Sequence, residues 1–340
     1  MKVKRNQTEL TGILGIEKLN LLADIKPIEQ WRAYRDTYAK AQNLSIITPY
    51  PTQIDFELNA TCNLKCPMCP LSVESNNQKA HLLLPFSLFC AIIDEGIALN
   101  ALKAIKLNYL NEPLLRKDLE SFISYAKNAG VLDIYFSSNG LLLHKERSIS
   151  LIKAGLDRIQ ISIDAYSEDV YNTIRPGSNY HKVIQNVLQL LEARKELKSL
   201  TPLVRVNFVR TELNEHQLDS FVAFWEDKVD MIGVQEMIKP PKSSKDLNSK
   251  TTQEKPDFQC SFPYKQLVIT AEGNVLPCCT FYGEQMPLGN ILESYKNGTY
   301  TSLQTFWQSK AMQELRAIHK AHSYASNPIC KKCIEGAIYG

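Results

Sequence analysis

Three cysteines fall within eight residues, in Cys62-Asn63-Leu64-Lys65-Cys66-Pro67-Met68-Cys69. Thiolates this close converge readily on one soft metal centre. A four-iron cubane held wholly by protein needs four cysteines. Three would leave one iron open, and an open coordination position is what admits a reacting molecule to a metal. The first gap is three residues, unlike the ferredoxin run with its two-residue gaps. A structural zinc or a buried thiol cluster would use the same side chains. A second set lies far along the chain, Cys260, Cys278, Cys330 and Cys333, the last two in Cys-Lys-Lys-Cys. Two distant cysteines plus C-x2-C make a four-thiolate site, for which zinc and an iron–sulfur cluster both fit. Cys90 sits among apolar residues and reads as core. Cys279 reads first as a bystander; a ligand in place of Cys278 and a hydrogen-atom donor in catalysis are the other readings.

Alternating short strands and helices must position these side chains. Apolar runs predict strands at Gln53–Leu58, Ala104–Asn108, Asp133–Ser137, Arg158–Ile163, Leu203–Val209 and Met231–Glu236. Helical spacing predicts helices between them at Pro85–Leu99, Leu115–Ala129, Lys145–Ala154, Tyr180–Lys198 and Asn214–Asp227. Pro85 suits a first helical turn, and Gly130 and Gly155 suit helix ends. The alternation implies a parallel sheet with crossover helices. Six units give an α/β fold, a partial (β/α)6 TIM-like barrel, over residues 51–238. The first cysteines follow the first strand, at the end where barrel enzymes do chemistry.

Residues 1–50 read as an N-terminal helical cap of two amphipathic stretches, Thr8–Asp24 and Pro27–Asn43. No strand pair is evident before Pro51. Residues 239–258 are polar and aperiodic and read as a linker. Residues 259–340 read as a small cysteine-rich α+β domain, with a hairpin turning at Ala271-Glu272-Gly273-Asn274 and a helix carrying Phe306, Trp307, Met312 and Leu315.

The composition is that of an ordinary globular chain of 340 residues, 44% hydrophobic and 22% charged, with net charge +3 and both signs interspersed. It gives no basic patch for nucleic acid. No apolar run is long enough to span a membrane. Met1–Leu14 lacks the apolar centre of a signal peptide, which points to a cytoplasmic location. Nine cysteines in that compartment argue for metal ligation over disulfides.

C-x3-C-x2-C after a first strand resembles the signature of the radical S-adenosylmethionine (radical SAM) superfamily. The resemblance implies that Cys62, Cys66 and Cys69 hold a [4Fe–4S] cluster whose open iron binds the amino and carboxylate groups of SAM. It places Met68 near the adenine. Asn111-Glu112-Pro113 resembles the family's G-E-P segment, which holds the SAM amino group; Asn111 stands where the family has glycine. Ser138-Asn139-Gly140 is similar to the turn near SAM, and Ser162-Ile163-Asp164 to a segment near the ribose, where Asp164 reads as fixing the following loop. Arg175 matches an arginine that pairs with the SAM carboxylate, which a guanidinium engages through two parallel hydrogen bonds. Val234 would approach the adenine through its backbone. Asn207 points to the barrel mouth, and alternation lets only one of Gln235 and Glu236 do so.

The C-terminal cysteines, with Leu288-Gly289-Asn290-Ile291, resemble the shortened SPASM ("twitch") extension. That resemblance makes Cys260, Cys278, Cys330 and Cys333 the ligands of a second, auxiliary [4Fe–4S] cluster. The family implies reductive cleavage of SAM to a 5′-deoxyadenosyl radical, which abstracts a substrate hydrogen. It also implies an external electron donor such as flavodoxin or ferredoxin. Members with one auxiliary cluster of this spacing resemble the 2-deoxy-scyllo-inosamine dehydrogenase type. The expected function is therefore oxidation of a secondary alcohol on a small molecule of the sugar or aminocyclitol kind. A radical epimerase, which needs a hydrogen donor such as Cys279, a peptide-modifying SPASM enzyme and a non-enzymatic metal scaffold are the alternatives.

Overall fold

The computed structural model describes residues 11–73, 81–239 and 258–336. Among the described residues one sheet is built from β1 (Thr11–Leu14), β2 (Gln53–Phe56), β3 (Ala104–Lys106), β4 (Asp133–Ser138), β5 (Arg158–Ser162), β6 (Leu203–Arg210), β7 (Met231–Glu236), β8 (Gln266–Ile269), β9 (Asn274–Leu276) and β10 (Gly289–Asn290). Their order is β1-β7-β6-β5-β4-β3-β2-β8-β9-β10. Strands β2 to β7 run parallel, and β8 joins the free edge of β2, also parallel. β1 lies antiparallel on β7, and β9 and β10 extend the other edge antiparallel. This is the expected partial (β/α)6 barrel, with crossover helices at Phe86–Ala98, Leu119–Ala129, Lys145–Ala154, Tyr180–Glu196 and Leu218–Trp225.

Alternation along each strand divides its side chains. Ile54 and Phe56, Ile105, Ile134 and Phe136, Ile159 and Ile161, Val206 and Phe208, and Ile232 and Val234 enter the core under the helices. Between them Asp55, Lys106, Tyr135, Gln160, Ser162, Asn207 and Gln235 are left for the opposite, inner face. The helix side is thus apolar, and the inner face is polar.

The N-terminal segment closes the bottom of this sheet. Trp31 and Tyr34 of helix Ile28–Gln42 pack with Ala104, Leu132, Leu203 and Met231, at the strands' N-terminal ends. The Tyr34 hydroxyl donates to Asp133 (3.3 Å), which also holds Arg158 through two bonds of 2.7 and 2.8 Å. Lys26 and Lys127 both engage the buried Asp157.

The predicted first helix is corrected. Thr11–Leu14 is a strand, and a 3-10 helix, Ile16–Asp24, follows it. The strand satisfies the open edge of β7, a tertiary demand that the spacing of its apolar residues does not reveal. Gly15 makes the corner: its φ is +73°, and a Cβ there would stand 2.5 Å from the Asp230 carbonyl oxygen.

Smaller corrections concern helix ends. The predicted helix Leu115–Ala129 begins at Leu119, after a 3-10 turn at Pro113–Leu115, and Asn214–Asp227 divides into a 3-10 turn and Leu218–Trp225. The helix predicted around Phe306 is two, Leu303–Trp307 and Lys310–Lys320, the second capped by Ser309. Residues 240–257 of the predicted linker lie outside the described residues, as do 1–10 and 337–340. No helix among the described residues is long and apolar enough to cross a membrane.

Candidate active site

The first cysteine loop leaves the C-terminal end of β2. Its fold is local: Cys69 N–H donates to the Cys66 carbonyl (2.9 Å), and Leu64 N–H points at Cys62 Sγ (3.4 Å). Burial, with smaller contributions from Glu112 and Cys66, pushes the Cys62 thiol up to about 11, and burial with the neighbouring Cys66 and Cys62 pushes Cys69 up to about 12. Burial also raises Cys66, opposed by Arg175. One buried and two half-buried thiols that repel one another as thiolates are a donor set that a multi-iron cation would stabilise. Among the described residues no three His, Cys, Asp or Glu side chains gather so as to hold a single metal ion. A cubane does not ask for that, because it spreads its thiolates over different irons.

The residues matched to SAM surround this loop. Arg175 is buried and gives its Nε (3.0 Å) and Nη2 to Asp164 Oδ2; its Nη1 stands 3.8 Å from Cys66 Sγ. Asp164, at φ +64°, also accepts from Val209 N–H (2.8 Å), and its carbonyl accepts from Asn214 (2.7 Å). Met68 packs with Met237, Val209 and Leu213 at the ends of β6 and β7. Glu112 is fully buried, and burial raises its pKa. Its carboxylate accepts from Leu114 N–H (3.1 Å), Ser138 Oγ (2.7 Å) and Asn139 N–H (2.8 Å). Four lone-pair positions minus three bonds leave little for a ligand, so Glu112 mainly knits the β3 and β4 loops.

Asn139 Nδ2 donates to Asn63 in the cysteine loop (2.8 Å) and lies 4.0 Å from Cys62 Sγ. Asn111, in the glycine position of the resemblance, ties Asn59 Oδ1 (2.9 Å) to the Tyr109 N–H (2.9 Å). Ser162 ends β5 half-buried, in register with Asn207. Asn207 is buried, and its Oδ1 has no hydrogen-bond partner. The Val234 side chain is in the helix-side core, so only its backbone is available to a ligand. Glu236 is paired with Arg210, which leaves Gln235 on the inner face.

The second thiol set comes from three segments. Cys260 precedes the short helix Phe262–Lys265, Cys278 follows β9, and Cys330 and Cys333 share one face of helix Pro328–Glu335. All four line one almost wholly apolar cavity, with Phe258, Leu315, Ile334 and His319. Burial pushes Cys278 and Cys333 up to about 11 and Cys330 up to about 12. Thr280 Oγ1 lies 3.6 Å from Cys278 Sγ and 3.5 Å from Cys333 Sγ. The thiols and this hydroxyl fit a fully ligated cubane. Cys279 does not line the cavity; burial, then Asp55, pushes it up to about 12. The two sites are linked: the Tyr109 hydroxyl donates to the Thr280 carbonyl (2.9 Å).

Sequence reasoning missed the holding of Arg175 by Asp164, the bridge from Asn63 to Asn139, the Tyr109–Thr280 link and the place of His319. Asp164 lay within a segment already singled out; nothing in the spacing of the others marks them.

Comparison with known proteins supplies the family. The radical SAM superfamily model matches residues 56–208, and the SPASM model, an iron–sulfur cluster-binding domain, matches 260–334. A probable GTP 3′,8-cyclase of Methanococcus maripaludis is 34% identical over 178 residues, 52% of this chain and 56% of the relative. A GTP 3′,8-cyclase of Thermodesulfovibrio yellowstonii is 34% identical over 173 residues, 50% of each. The chain thus spans about half the length of these relatives. The crystal structure of BtrN in complex with AdoMet and 2-DOIA matches with TM-score 0.54 at 20% identity, over 83% of this chain and 92% of BtrN. Streptococcus suis SuiB bound to S-adenosylmethionine matches with TM-score 0.64 at 16% identity, over 90% and 76%. At such identities these likenesses show the fold. The chain carries a radical SAM superfamily domain and a C-terminal SPASM domain, the domains of enzymes that work with a [4Fe–4S] cluster, SAM and an auxiliary iron–sulfur cluster.

Proposed function

We propose that this enzyme oxidises a secondary hydroxyl of a sugar, an aminocyclitol or a related small metabolite. The observation that carries the reading is that Cys260, Cys278, Cys330 and Cys333 line a single cavity. Four thiolates leave no iron open to substrate and suit a cluster to electron transfer. Bound at the two sites, SAM and the clusters supply a hydrogen-atom abstractor and a one-electron acceptor.

The alcohol carbon gives up a hydrogen atom, which ends in 5′-deoxyadenosine, with methionine as co-product. The hydroxyl gives up a proton to solvent. One electron leaves toward the auxiliary site, and one is drawn from an external donor of the flavodoxin or ferredoxin class.

In this reading Cys62, Cys66 and Cys69 hold the SAM-binding cluster. Arg175, fixed by Asp164, presents Nη1 to the SAM carboxylate. Met68 and Met237 offer an apolar surface to the adenine, with the Val234 backbone beside it. Glu112, Asn111, Ser138 and Asn139 shape the loops at the amino end. Gln160, Ser162, Asn207 and Gln235 line the inner face with groups suited to a hydroxyl-rich molecule. BtrN, which shares the fold, holds AdoMet together with 2-DOIA, and this supports a small polar substrate.

SuiB, also bound to its precursor peptide SuiA in a crystal structure, favours a second reading, peptide modification. The test is anaerobic incubation with SAM, reductant and a panel of sugars, aminocyclitols, GTP and short peptides. The proposal expects 5′-deoxyadenosine to rise with a polyol, together with a carbonyl product lighter by H2. A product of unchanged mass that needs Cys279 would make the enzyme an epimerase. Stimulation by GTP or peptide alone would overturn the alcohol reading.

A further inference from the structure

We infer that His319 donates a hydrogen bond from Nε2 to the auxiliary cluster and so raises the potential at which that cluster takes up an electron. This rests on the reading of Cys260, Cys278, Cys330 and Cys333 as its ligands.

His319 lies on helix Lys310–Lys320, only 2% exposed, and lines the same cavity as the four cysteines. Its Nδ1 accepts the backbone N–H of Cys260 at 3.4 Å. A ring nitrogen that accepts carries no proton, so a neutral imidazole here has its proton on Nε2. Among the described residues Nε2 has no protein partner.

The cavity wall offers this N–H almost nothing else. Phe258, Leu315 and Ile334 are apolar, the Thr280 hydroxyl is already placed between Cys278 and Cys333, and the Tyr282 hydroxyl is engaged with the Lys239 carbonyl (2.9 Å). A buried N–H is rarely left unpaired. The acceptors that a filled cavity would bring are the sulfurs of the cluster and its thiolates. Hydrogen bonds to those sulfurs are among the factors that set cluster potential. They offset negative charge on the reduced form, so an added donor favours reduction. An acceptor for the electron released in alcohol oxidation gains from that shift.

The test uses the full chain with Cys62, Cys66 and Cys69 replaced by Ala, reconstituted anaerobically, so that one cluster remains. Its midpoint potential is measured by EPR-monitored titration for the parent, His319→Gln and His319→Leu. All three should keep about four irons. The Leu variant should titrate at a more negative potential than the parent. The Gln variant, which retains an N–H donor, should fall between them.

A second measurement does not depend on either variant folding. Pulsed EPR of the parent labelled with 15N-histidine should show one weak coupling, of hydrogen-bond size. A strong coupling from a directly bound nitrogen, no coupling, or an unchanged potential in an iron-replete Leu variant would each overturn the proposal and leave the auxiliary cluster standing. A parent that holds no iron would instead overturn the four-cysteine reading, and this proposal with it.

Discussion

Asp164 grips the guanidinium of Arg175 from one side, through Nε and Nη2, and leaves Nη1 facing Cys66 Sγ at 3.8 Å. Both side chains are buried. The remaining edge of the arginine is therefore turned toward the cysteine loop. A left-handed backbone at Asp164 and its bonds to Val209 and Asn214 fix the carboxylate in turn.

Arg175→Lys keeps the charge and loses the fork. Charge-assisted hydrogen bonds are worth about 1.5–3 kcal/mol, so SAM affinity should fall roughly tenfold to a hundredfold. Equilibrium binding of SAM to the reconstituted protein checks this. Asp164→Ala strands a buried cation, and should cost about 3–5 kcal/mol of stability in denaturant unfolding. Unchanged SAM binding in both variants would remove Arg175 from the site.

Cluster loading should depend on pH with a definite sign. In the empty protein burial holds Cys62 at about 11 and Cys69 at about 12, so both are thiols at neutral pH. Ligation needs thiolates and releases protons. Retention of iron against a fixed chelator should therefore increase as pH rises from about 7 to 9, by up to about 1.4 kcal/mol per pH unit for each thiol displaced. A flat profile would mean that the ligands are already ionised.

Gly283 sets the approach of the Phe281–Gln285 turn to the auxiliary site. A Cβ there would stand 2.6 Å from the Cys278 carbonyl oxygen and 3.1 Å from its Sγ. Gly283→Ala should displace Cys278 and lower the iron content toward that of a single cluster, while leaving the barrel folded. Iron analysis with circular dichroism tests it, and full iron loading would contradict it.

Asn207 carries a buried oxygen with no partner. If that oxygen is kept for substrate, removing it should weaken function without weakening the fold. Asn207→Ala should match or exceed the wild type in stability, by roughly 1 kcal/mol, because an unsatisfied buried acceptor is costly. Substrate-dependent formation of 5′-deoxyadenosine should fall severalfold. A variant that loses stability and keeps turnover would make Asn207 a structural residue.

The parallel barrel was legible because it repeats a local pattern, as were the close spacings of Cys62, Cys66 and Cys69 and of Cys330 and Cys333; the approach of Cys260 and Cys278 to the last pair is a product of the fold. Ile134 and Phe136 alternate with Tyr135 and Ser137, and Cys330 and Cys333 are one helical turn apart. β1 was not legible: four residues, Thr11–Leu14, pair with a strand more than two hundred positions later. Arg175 could be placed by register with a known motif, but its partner Asp164 sits eleven positions earlier, across a loop and a short helix. Tyr109 and Thr280 are 171 positions apart, and their bond exists because β8 joins the edge of β2. The glycine replaced by Asn111 signalled a departure, and only the fold shows what the side chain ties together.

We propose that the two thiol sets hold two clusters, one open to SAM and one closed. Iron and sulfide content after anaerobic reconstitution tests it, in wild type and in a chain with Cys62, Cys66 and Cys69 replaced by Ala. About eight irons should fall to about four, with sulfide in step. About four irons in wild type and none in the variant would contradict it, and the alcohol oxidation reading would lose its electron acceptor.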